Sequence, residues 1–298
     1  ESAWLECSKN GQCSTSGNTN KVTSSYNGVM SRTNFSHQPR KRFGQNFLRD
    51  ERVIARIAAV IGAREADHLV EIGPGEGALT DVLVGSGCQL DVIELDRDLV
   101  PGLLAAHGLK PSFTLHSADA LKFDFASLSQ APDKKLRIVG NLPYNISTPL
   151  IFKLLADATC IQDMHFMLQK EVVDRLAASP GSKQWGRLGI MAQFHCEIEK
   201  LFDVPPEAFD PPPRVQSAIV RLQPHSHSPW PPCDETRLRQ VVQTAFSARR
   251  KTLRNNLKGL IDMAELEALG LDPSARAETL ALSKFIDVTN AIHDQDSV

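Results

Sequence analysis

The sequence predicts an α/β fold: a doubly wound sheet that is parallel in its first part and ends in an antiparallel hairpin, followed by a small all-helical domain. Three observations lead to this fold class. Short apolar runs alternate with helical patterns from about residue 51, which is the order of a sheet covered by helices. Two later apolar runs are joined by a link too short for a crossover helix. Only helical patterns follow residue 234.

The alternating part begins with a helix over Glu51–Ala63, in which apolar residues recur at helical spacing until Gly62. A second helix is predicted from about Gly77 to about Gly85. The predicted parallel strands are His68–Ile72, Leu90–Glu94, Ser112–His116, Leu136–Gly140 and Met164–Gln169.

The hairpin is predicted from strands at about Ile198–Val204 and about Val215–Leu222, joined by Pro205–Arg214. The next segment, Gln223–Asp234, is rich in Pro, His and Ser and predicts a linker. The helices predicted after the linker are Glu235–Phe246, Thr252–Gly259, Met263–Leu269 and Ser283–Ile292. We therefore expect an α/β domain over residues 38–224 and a helical domain over residues 225–298.

Residues 1–37 are rich in Ser, Asn, Thr and Gly and show no period, so disorder is expected there. The segment lacks an apolar core of the secretory type and is poor in Arg before Arg32, which disfavours a targeting peptide. Met30 lies inside it, and we interpret part of the preceding sequence as derived from an expression vector or from read-through.

Composition narrows the class of protein. With 298 residues, of which 42% are hydrophobic and 23% charged, the chain has the composition of a globular protein with a sizeable core. No apolar run approaches the roughly 18 residues that span a bilayer, so we expect no membrane association. The net charge of −2 means that any nucleic-acid binding must depend on a local basic patch.

The cysteines favour a reduced, cytoplasmic protein without a zinc site, because they are scattered and form no Cys-x-x-Cys pair. They are Cys7, Cys13, Cys88, Cys160, Cys196 and Cys233. His225 and His227 in the linker have no Cys or acidic partner nearby, so solvated side chains are expected there and no metal is predicted.

A glycine-rich loop follows the first predicted strand, where Val70-Glu71-Ile72 leads into Gly73, Gly75 and Gly77. Glycines at a strand-to-helix turn let the backbone approach a ligand closely and leave helix N–H groups free. Nicotinamide dinucleotides, flavins and S-adenosylmethionine all use such loops. The third glycine comes one residue early for the dinucleotide fingerprint, and no Gly-Lys-Ser/Thr is present, which excludes P-loop nucleotide hydrolases.

Two acidic residues follow the next strands. Glu94 ends the second strand about twenty residues after Gly73, where a carboxylate can accept hydrogen bonds from ribose hydroxyls. Asp119 follows the third strand and can accept from an adenine amino group. Either acid can instead cap the next helix. Together with the glycine loop they describe a pocket suited to an adenosine group.

Asn141-Leu142-Pro143-Tyr144 follows the fourth strand, on the sheet edge where open α/β sheets bind ligands. An exocyclic aromatic amine is a poor nucleophile because its lone pair is delocalised into the ring. The Asn141 amide oxygen and the Leu142 carbonyl can hold its two N–H bonds, Pro143 stiffens the chain, and Tyr144 can stack on the base. The alternative is a simple turn with a packed Tyr.

Seven segments resemble the KsgA family of ribosomal RNA adenine dimethyltransferases, over about residue 39 to near the C-terminus. They are KRFGQNFL, VEIGPGEGALT, VIELDRDL, NLPYNIS, MHFMLQKEV, PPPRVQSAIVRL and FSARRKTLRNNL. The resemblance implies a Rossmann-like S-adenosylmethionine-dependent fold with a C-terminal helical domain. It also implies transfer of two methyl groups to N6 of each of two adjacent adenosines, in the hairpin near the 3′ end of small-subunit (16S) rRNA. Residues 1–29 have no counterpart in the family.

The resemblance also implies particular site residues. The predicted cofactor-binding residues, for S-adenosylmethionine, are Asn46, Leu48, Gly73, Gly75, Glu94, Asp119 and Asn141. The predicted target-base residues are Asn141, Leu142, Pro143, Tyr144 and Phe209, with Phe209 stacking on the base opposite Tyr144. The expected partner is small-subunit rRNA within a pre-30S particle, and the expected state is a cytoplasmic monomer without metal.

Basic clusters are the predicted RNA contacts, because phosphate binding needs local positive charge rather than a basic total. The predicted RNA-binding residues are Arg249, Arg250, Lys251, Arg254, Lys258, Lys183 and Arg187, and Arg40-Lys41-Arg42 adds charge before the first motif. The alternative is a solvated basic helix face. We also interpret the loop 179–186, which contains Trp185, as an RNA contact.

Three other functions are compatible with parts of this pattern. The resistance methyltransferases of large-subunit rRNA share the core motifs, but they tend to be strongly basic and have a shorter second domain. Mitochondrial transcription factors related to this family are disfavoured by the intact Asn141–Tyr144 motif. A nucleotide-dependent oxidoreductase is disfavoured because no hydride-site His or Tyr-Lys arrangement is evident.

Overall fold

A computed structural model of the chain describes residues 45–129, 134–143 and 145–295. The predicted disorder of residues 1–37, the basic run at residues 40–42 and the predicted stacking residue Tyr144 lie outside the described residues. No α-helix in these ranges combines the length and the apolar character needed to cross a bilayer.

The described ranges contain a central sheet flanked by helices. The strands are β1 (Phe47–Leu48), β2 (His68–Ile72), β3 (Gln89–Glu94), β4 (Phe113–Ser117), β5 (Leu136–Asn141), β6 (Ile161–Gln169), β7 (Cys196–Val204), β8 (Phe209–Asp210) and β9 (Ser217–Pro224). The α-helices are α1 (Glu51–Ile61), α2 (Ala78–Val84), α3 (Val100–His107), α4 (Ser147–Ala156), α5 (Lys170–Leu176), α6 (Arg187–His195), α7 (Glu235–Ala245), α8 (Leu253–Asn256), α9 (Met263–Ala268) and α10 (Leu282–Gln295).

The main sheet has seven strands in the order β4-β3-β2-β5-β6-β9-β7. Strands β2 to β6 pair in parallel, and β9 pairs antiparallel with both β6 and β7. The predicted fold class and the predicted antiparallel hairpin at the end of the sheet are both confirmed. Strand order reverses between β2 and β5, and the carboxyl ends of strands at such a point form a crevice that binds ligands.

Element bounds differ from the predictions mainly where tertiary contacts extend or shorten an element. Strand β6 starts at Ile161, three residues before the predicted start, because Ile161 pairs with Leu136 on β5. Helix α8 ends at Asn256 instead of continuing to Gly259, which has a φ of +91°. A right-handed helix cannot continue through a left-handed residue.

Helix α1 forms as its sequence predicts. The carboxylate of Asp50 caps its N-terminus by accepting from the backbone N–H groups of Arg52 and Val53, at 2.8 and 3.2 Å. Gly62 ends it in the left-handed conformation, with a φ of +57°. Its buried residues, Ile54, Ile57 and Ile61, pack on one face of the sheet.

An ion-pair network fixes the amino ends of the central strands. The guanidinium of Arg137, which is 8% exposed, makes two hydrogen bonds to Asp163 at 2.9 Å and one to Asp67 at 2.7 Å. It also donates to the carbonyl oxygen of Ile61 at 2.7 Å. Because every one of these guanidinium contacts is to a fixed partner, the network holds β5 and β6 in register with the end of α1.

The C-terminal helices share a hydrophobic cluster with the segment around α6. Trp185 is buried in this cluster, and its indole N–H donates to the carbonyl oxygen of Leu280 at 2.8 Å. The cluster also contains Ile190 and Met191 from α6 and Phe285 from α10. Trp185 therefore packs the segment before α6 against the C-terminal helices, and its side chain is not exposed for the RNA contact interpreted from the sequence.

Candidate active site

One large pocket lies at the carboxyl ends of β2, β3 and β5, between these strands, the β1–β8 pair and Ile57 of α1. Every described member of the predicted cofactor and target-base sets lines it. These are Asn46, Leu48, Gly73, Gly75, Glu94, Asp119, Asn141, Leu142, Pro143 and Phe209. Residues as distant in the chain as Gln45 and Ile219 meet in this pocket.

The glycine loop runs along one wall of the pocket. Gly73, Gly75 and Gly77 have φ values of +67°, +60° and +85°, a region that side chains disfavour. A Cβ atom on Gly75 would lie 3.0 Å from the Phe47 ring, so a side chain there would force the ring aside. Two separate features therefore require glycine at this position: the positive φ of the backbone and the close approach of Phe47.

Glu94 ties the glycine loop to the end of β3. Its carboxylate accepts from the backbone N–H of Asp96 at 2.7 Å and of Gly75 at 3.3 Å. Burial raises the pKa of Glu94 above its ordinary value, while these backbone donors lower it. Helix α3 begins only at Val100, so Glu94 does not cap it, and the carboxylate retains lone pairs for hydroxyl donors of a ligand.

Asp119 lies two residues after β4, at the far side of the pocket. One carboxylate oxygen accepts from the backbone N–H of Leu121 at 3.0 Å. This local bond forms a turn rather than the start of an α-helix. The other oxygen is 4.0 Å from the exposed ammonium of Lys122, so it can still accept from a ligand.

The last residue of β5, Asn141, and the residue after it, Leu142, present two hydrogen-bond acceptors. The amide nitrogen of Asn141 donates to the backbone carbonyl of Asn46 at 3.3 Å, which leaves its Oδ1 atom as an acceptor for a ligand. The backbone N–H of Leu142 donates to the carbonyl of Met167 on β6 at 3.2 Å. No donor within the described ranges bonds to the Leu142 carbonyl oxygen. Pro143 follows and restricts the backbone of Leu142.

The β1–β8 pair brings two distant segments of the chain to the pocket. Leu48 pairs with Phe209, and Phe47 pairs with Asp210. Both backbone N–H groups after β1, of Arg49 and Asp50, donate to the carbonyl of Ala208. Phe209 is 5% exposed and lines the pocket. No local pattern in the sequence indicated this two-residue pairing.

Sequence reasoning assigned no role to Glu71, which is buried directly before the glycine loop. Its carboxylate accepts from the hydroxyl of Thr80 at 2.7 Å and lines the pocket. Burial raises its pKa from 4.5 to about 7. The signal was present in the sequence, because an acidic residue inside an apolar strand is rarely buried without a function or a partner.

Two further pocket residues without an assigned role lie on β6. Met167 pairs with Asn141 and is 4% exposed. His165 lies two residues earlier on the same strand and therefore on the same face of the sheet. Burial lowers the pKa of His165 from 6.5 to about 4, so its imidazole is neutral near pH 7. Both belong to the MHFMLQKEV segment, in which the sequence pattern singled out no individual residue.

The predicted RNA-binding residues are all exposed, but one of them is engaged within the chain. Arg249 pairs with Glu278 at 3.1 Å and donates to the backbone carbonyl of Lys183 at 2.7 Å. It therefore connects the loop around Lys183 to the segment before α8. Arg250 and Lys251 lie beside it with exposed side chains.

His225, expected to be solvated, is half-buried with its Nε2 atom 3.2 Å from the carbonyl oxygen of Gln193. Within the described residues no group of three His, Cys, Asp or Glu side chains has an arrangement suited to a metal ion.

The sheet order, the antiparallel edge and the pocket at the strand ends define a class of protein, the Rossmann-like S-adenosylmethionine-dependent methyltransferases. Residues 36–294 match the family described as "Ribosomal RNA adenine dimethylase". The chain belongs to this family.

Curated relatives support the assignment over most of the chain. A protein of Pseudomonas putida named "Ribosomal RNA small subunit methyltransferase A" is 58% identical over 261 residues, which is 88% of this chain and 97% of that protein. A protein of the same name from Pseudomonas aeruginosa is 59% identical over 258 residues, 87% of this chain and 96% of that protein.

Two solved structures are similar to the fold. The 23S rRNA methyltransferase ErmE superimposes with a TM-score of 0.68 at 26% identity, over 83% of this chain and all of that chain. A dimethyladenosine transferase from Plasmodium falciparum has a TM-score of 0.73 at 24% identity, over 84% of this chain and 98% of that one. At 24% identity, the similarity to the Plasmodium falciparum structure concerns the fold alone.

Proposed function

We propose that this protein transfers methyl groups from S-adenosylmethionine to N6 of two adjacent adenosines in the 3′-terminal hairpin of 16S rRNA, during assembly of the 30S subunit. The product is N6,N6-dimethyladenosine. The observation that carries this proposal is the 58% identity, over nearly the whole length, to a small-subunit rRNA methyltransferase. The pocket geometry supports the chemistry.

The pocket residues fit S-adenosylmethionine. Glu94 and Asp119 offer buried and half-buried carboxylate oxygens to hydroxyl and amino donors, and the glycine loop leaves room for close approach to the backbone. When bound, this cofactor supplies a methyl group already activated on a sulfonium centre. The protein therefore needs no strong base and no metal, and its task is to align the acceptor nitrogen.

Asn141 and Leu142 would perform that alignment. Their two carbonyl oxygens would accept hydrogen bonds from the two N–H groups of the adenine amine. This would direct the lone pair of the amine toward the methyl group. The tether from Asn141 to the Asn46 carbonyl fixes the amide orientation before the base arrives. Phe209 and Tyr144 would stack on the faces of the base. After transfer the positively charged nitrogen loses its proton to water.

The names of the same relatives, which refer to small-subunit rRNA, support a proposal about the assembly context. We propose that residues 38–224 carry the methyltransferase site and that residues 225–298 bind RNA on a pre-30S particle in the cytoplasm. The protein would act as a monomer without membrane association. Exposed Arg250, Lys251, Arg254 and Lys258 around α8 would contact phosphates.

The alternative is methylation of large-subunit rRNA, because the similar structure ErmE is a 23S rRNA methyltransferase. It is less well supported, because that likeness is at 26% identity. A direct test uses labelled S-adenosylmethionine with immature 30S particles or with 50S particles from unmethylated cells. We expect label in the adenosines of the 3′-terminal hairpin of 16S rRNA. Label restricted to large-subunit RNA would contradict the proposal.

A further inference from the structure

The pocket has an apolar side next to Asn141. Met167 on β6 pairs directly with Asn141 on β5, and paired residues of neighbouring parallel strands project to the same face of a sheet. Met167 is 4% exposed and lines the pocket. A thioether side chain therefore lies beside the amide proposed to hold the target amine.

Three more apolar residues continue this surface. Ile219 on β9 pairs with Met167 from the other side, and Leu48 and Phe209 pair with each other. All of them are less than 10% exposed, line the same pocket and belong to one hydrophobic cluster. We call Leu48, Met167, Phe209 and Ile219 the apolar wall.

A dimethylating enzyme must bind two different substrates, the unmodified adenosine and the singly methylated adenosine. The unmodified adenine amine has two N–H bonds, which match the two acceptors of Asn141 and Leu142. After one transfer, the amine has one N–H bond and one methyl group. A methyl group placed against a buried oxygen leaves that hydrogen-bond acceptor unsatisfied, which disfavours binding of the singly methylated base. The second transfer therefore needs an apolar surface near one acceptor.

We propose that the apolar wall receives the N6-methyl group of the singly methylated adenosine, and that Met167 determines whether the second transfer occurs. This inference rests on the proposed function. In the second transfer the N6 lone pair forms the new N–C bond and the S–C bond breaks with its electron pair going to sulfur. The remaining N6 proton then goes to water. Met167 takes no part in these bonds and acts by accommodating the first methyl group.

Methionine suits this position. Its unbranched, polarizable side chain adapts to small changes of shape, so the same wall can lie against an N–H group in the first transfer and a methyl group in the second. The neighbouring side chains are stiffer, because Ile219 is β-branched and Phe209 carries a rigid aromatic ring. The adjustable contact is therefore with Met167.

The test compares the two transfers within each enzyme. Reconstituted 30S particles would carry either unmodified or N6-methylated adenosine at the target positions, and nucleoside mass spectrometry would give both initial rates. The second-to-first rate ratio does not depend on the folded fraction, because misfolded enzyme lowers both rates equally. We expect Met167→Phe, which fills the space for the methyl group, to lower this ratio by about 10-fold or more.

Met167→Gln is the second test variant, since it retains the length of the side chain and replaces the apolar tip by an amide. We expect it to lower the same ratio and to make N6-methyladenosine accumulate. Met164→Gln is the matched control. Met164 is on the same strand and fully buried, but it belongs to the cluster on the opposite face of the sheet, so its ratio should equal that of wild type.

The outcomes separate the two claims. If wild type forms neither mono- nor dimethyladenosine in 16S rRNA, the proposed function is wrong. If wild type forms dimethyladenosine and both Met167 variants keep its rate ratio within about twofold, the proposed function stands and the role of Met167 is wrong. A reduced ratio in Met164→Gln equal to that in Met167→Gln would also overturn the inference.

Discussion

The side-chain nitrogen of Asn141 donates a hydrogen bond to the backbone carbonyl oxygen of Asn46, with 3.3 Å between the two atoms. This bond joins the end of β5 to the residue before β1. It also determines which end of the amide is available to a ligand, because a nitrogen that is already bonded leaves Oδ1 as the acceptor. The site is therefore oriented before substrate binds.

Asn141→Ala removes this acceptor. Loss of one preorganised contact to the reacting group typically lowers kcat by about 100- to 1,000-fold, and we expect a decrease of that size. Particle affinity should change little, because the proposed RNA contacts around α8 are left intact. Single-turnover methylation and a filter-binding assay measure the two effects. Gln162→Ala, an exposed substitution on β6, is the control, and equal kcat in the two variants would refute the role of Asn141.

Glu94→Gln should weaken S-adenosylmethionine binding. A hydrogen bond to a charged acceptor contributes about 1.5–3 kcal/mol, which corresponds to roughly 10- to 100-fold in the dissociation constant. The amide oxygen can still accept from one of the two backbone N–H groups, so the loop should remain folded. Isothermal titration calorimetry with the cofactor measures the change. Glu197→Gln, on the exposed edge of β7, should bind as wild type does.

Arg250→Ala combined with Lys251→Ala should weaken binding to 30S particles. Each lost phosphate contact reduces the slope of log K against log salt concentration by about one, so we expect a reduction of about two. Arg249 is left intact because it pairs with Glu278 and holds the loop at Lys183. The control removes the same charge from exposed Arg52 and Arg64. An identical slope in both double variants would assign the Arg250–Lys251 pair to a solvated surface.

Glu71→Gln should change how stability depends on pH. The pKa of Glu71 is raised from 4.5 to about 7, so between these values the folded state keeps a proton that the unfolded state has released. Its stabilising contribution is present below pH 4.5 and is lost as the pH rises through 7. The glutamine cannot ionise and keeps an oxygen to accept from Thr80.

The variant should therefore gain stability relative to wild type as the pH rises, by on the order of 3 kcal/mol at about pH 8 compared with about pH 4. Urea denaturation across this range measures the difference. The pKa of His165 also differs between the folded and unfolded states. His165 is present in both proteins, so its contribution cancels in the comparison. Parallel stability profiles would show that Glu71 does not titrate in this window.

The sequence alone determined the order of the elements and the positions of Gly73, Glu94, Asp119 and Asn141 after successive strands. In a parallel sheet this is sufficient to bring residues together, because all carboxyl ends lie at one edge. The antiparallel hairpin was also predictable, since a short link between two strands permits only that pairing.

Other features depended on contacts that no local pattern encodes. The pairing of Leu48 with Phe209 involves two residues on each side, too short for a periodic signal. The burial of Trp185 against Leu280 and the pairing of Arg249 with Glu278 depend on how the C-terminal helices pack. Sequence supplied the chemical groups of the site, whereas the long-range packing determined which of them face the pocket, which acceptors are already used and where the apolar wall lies.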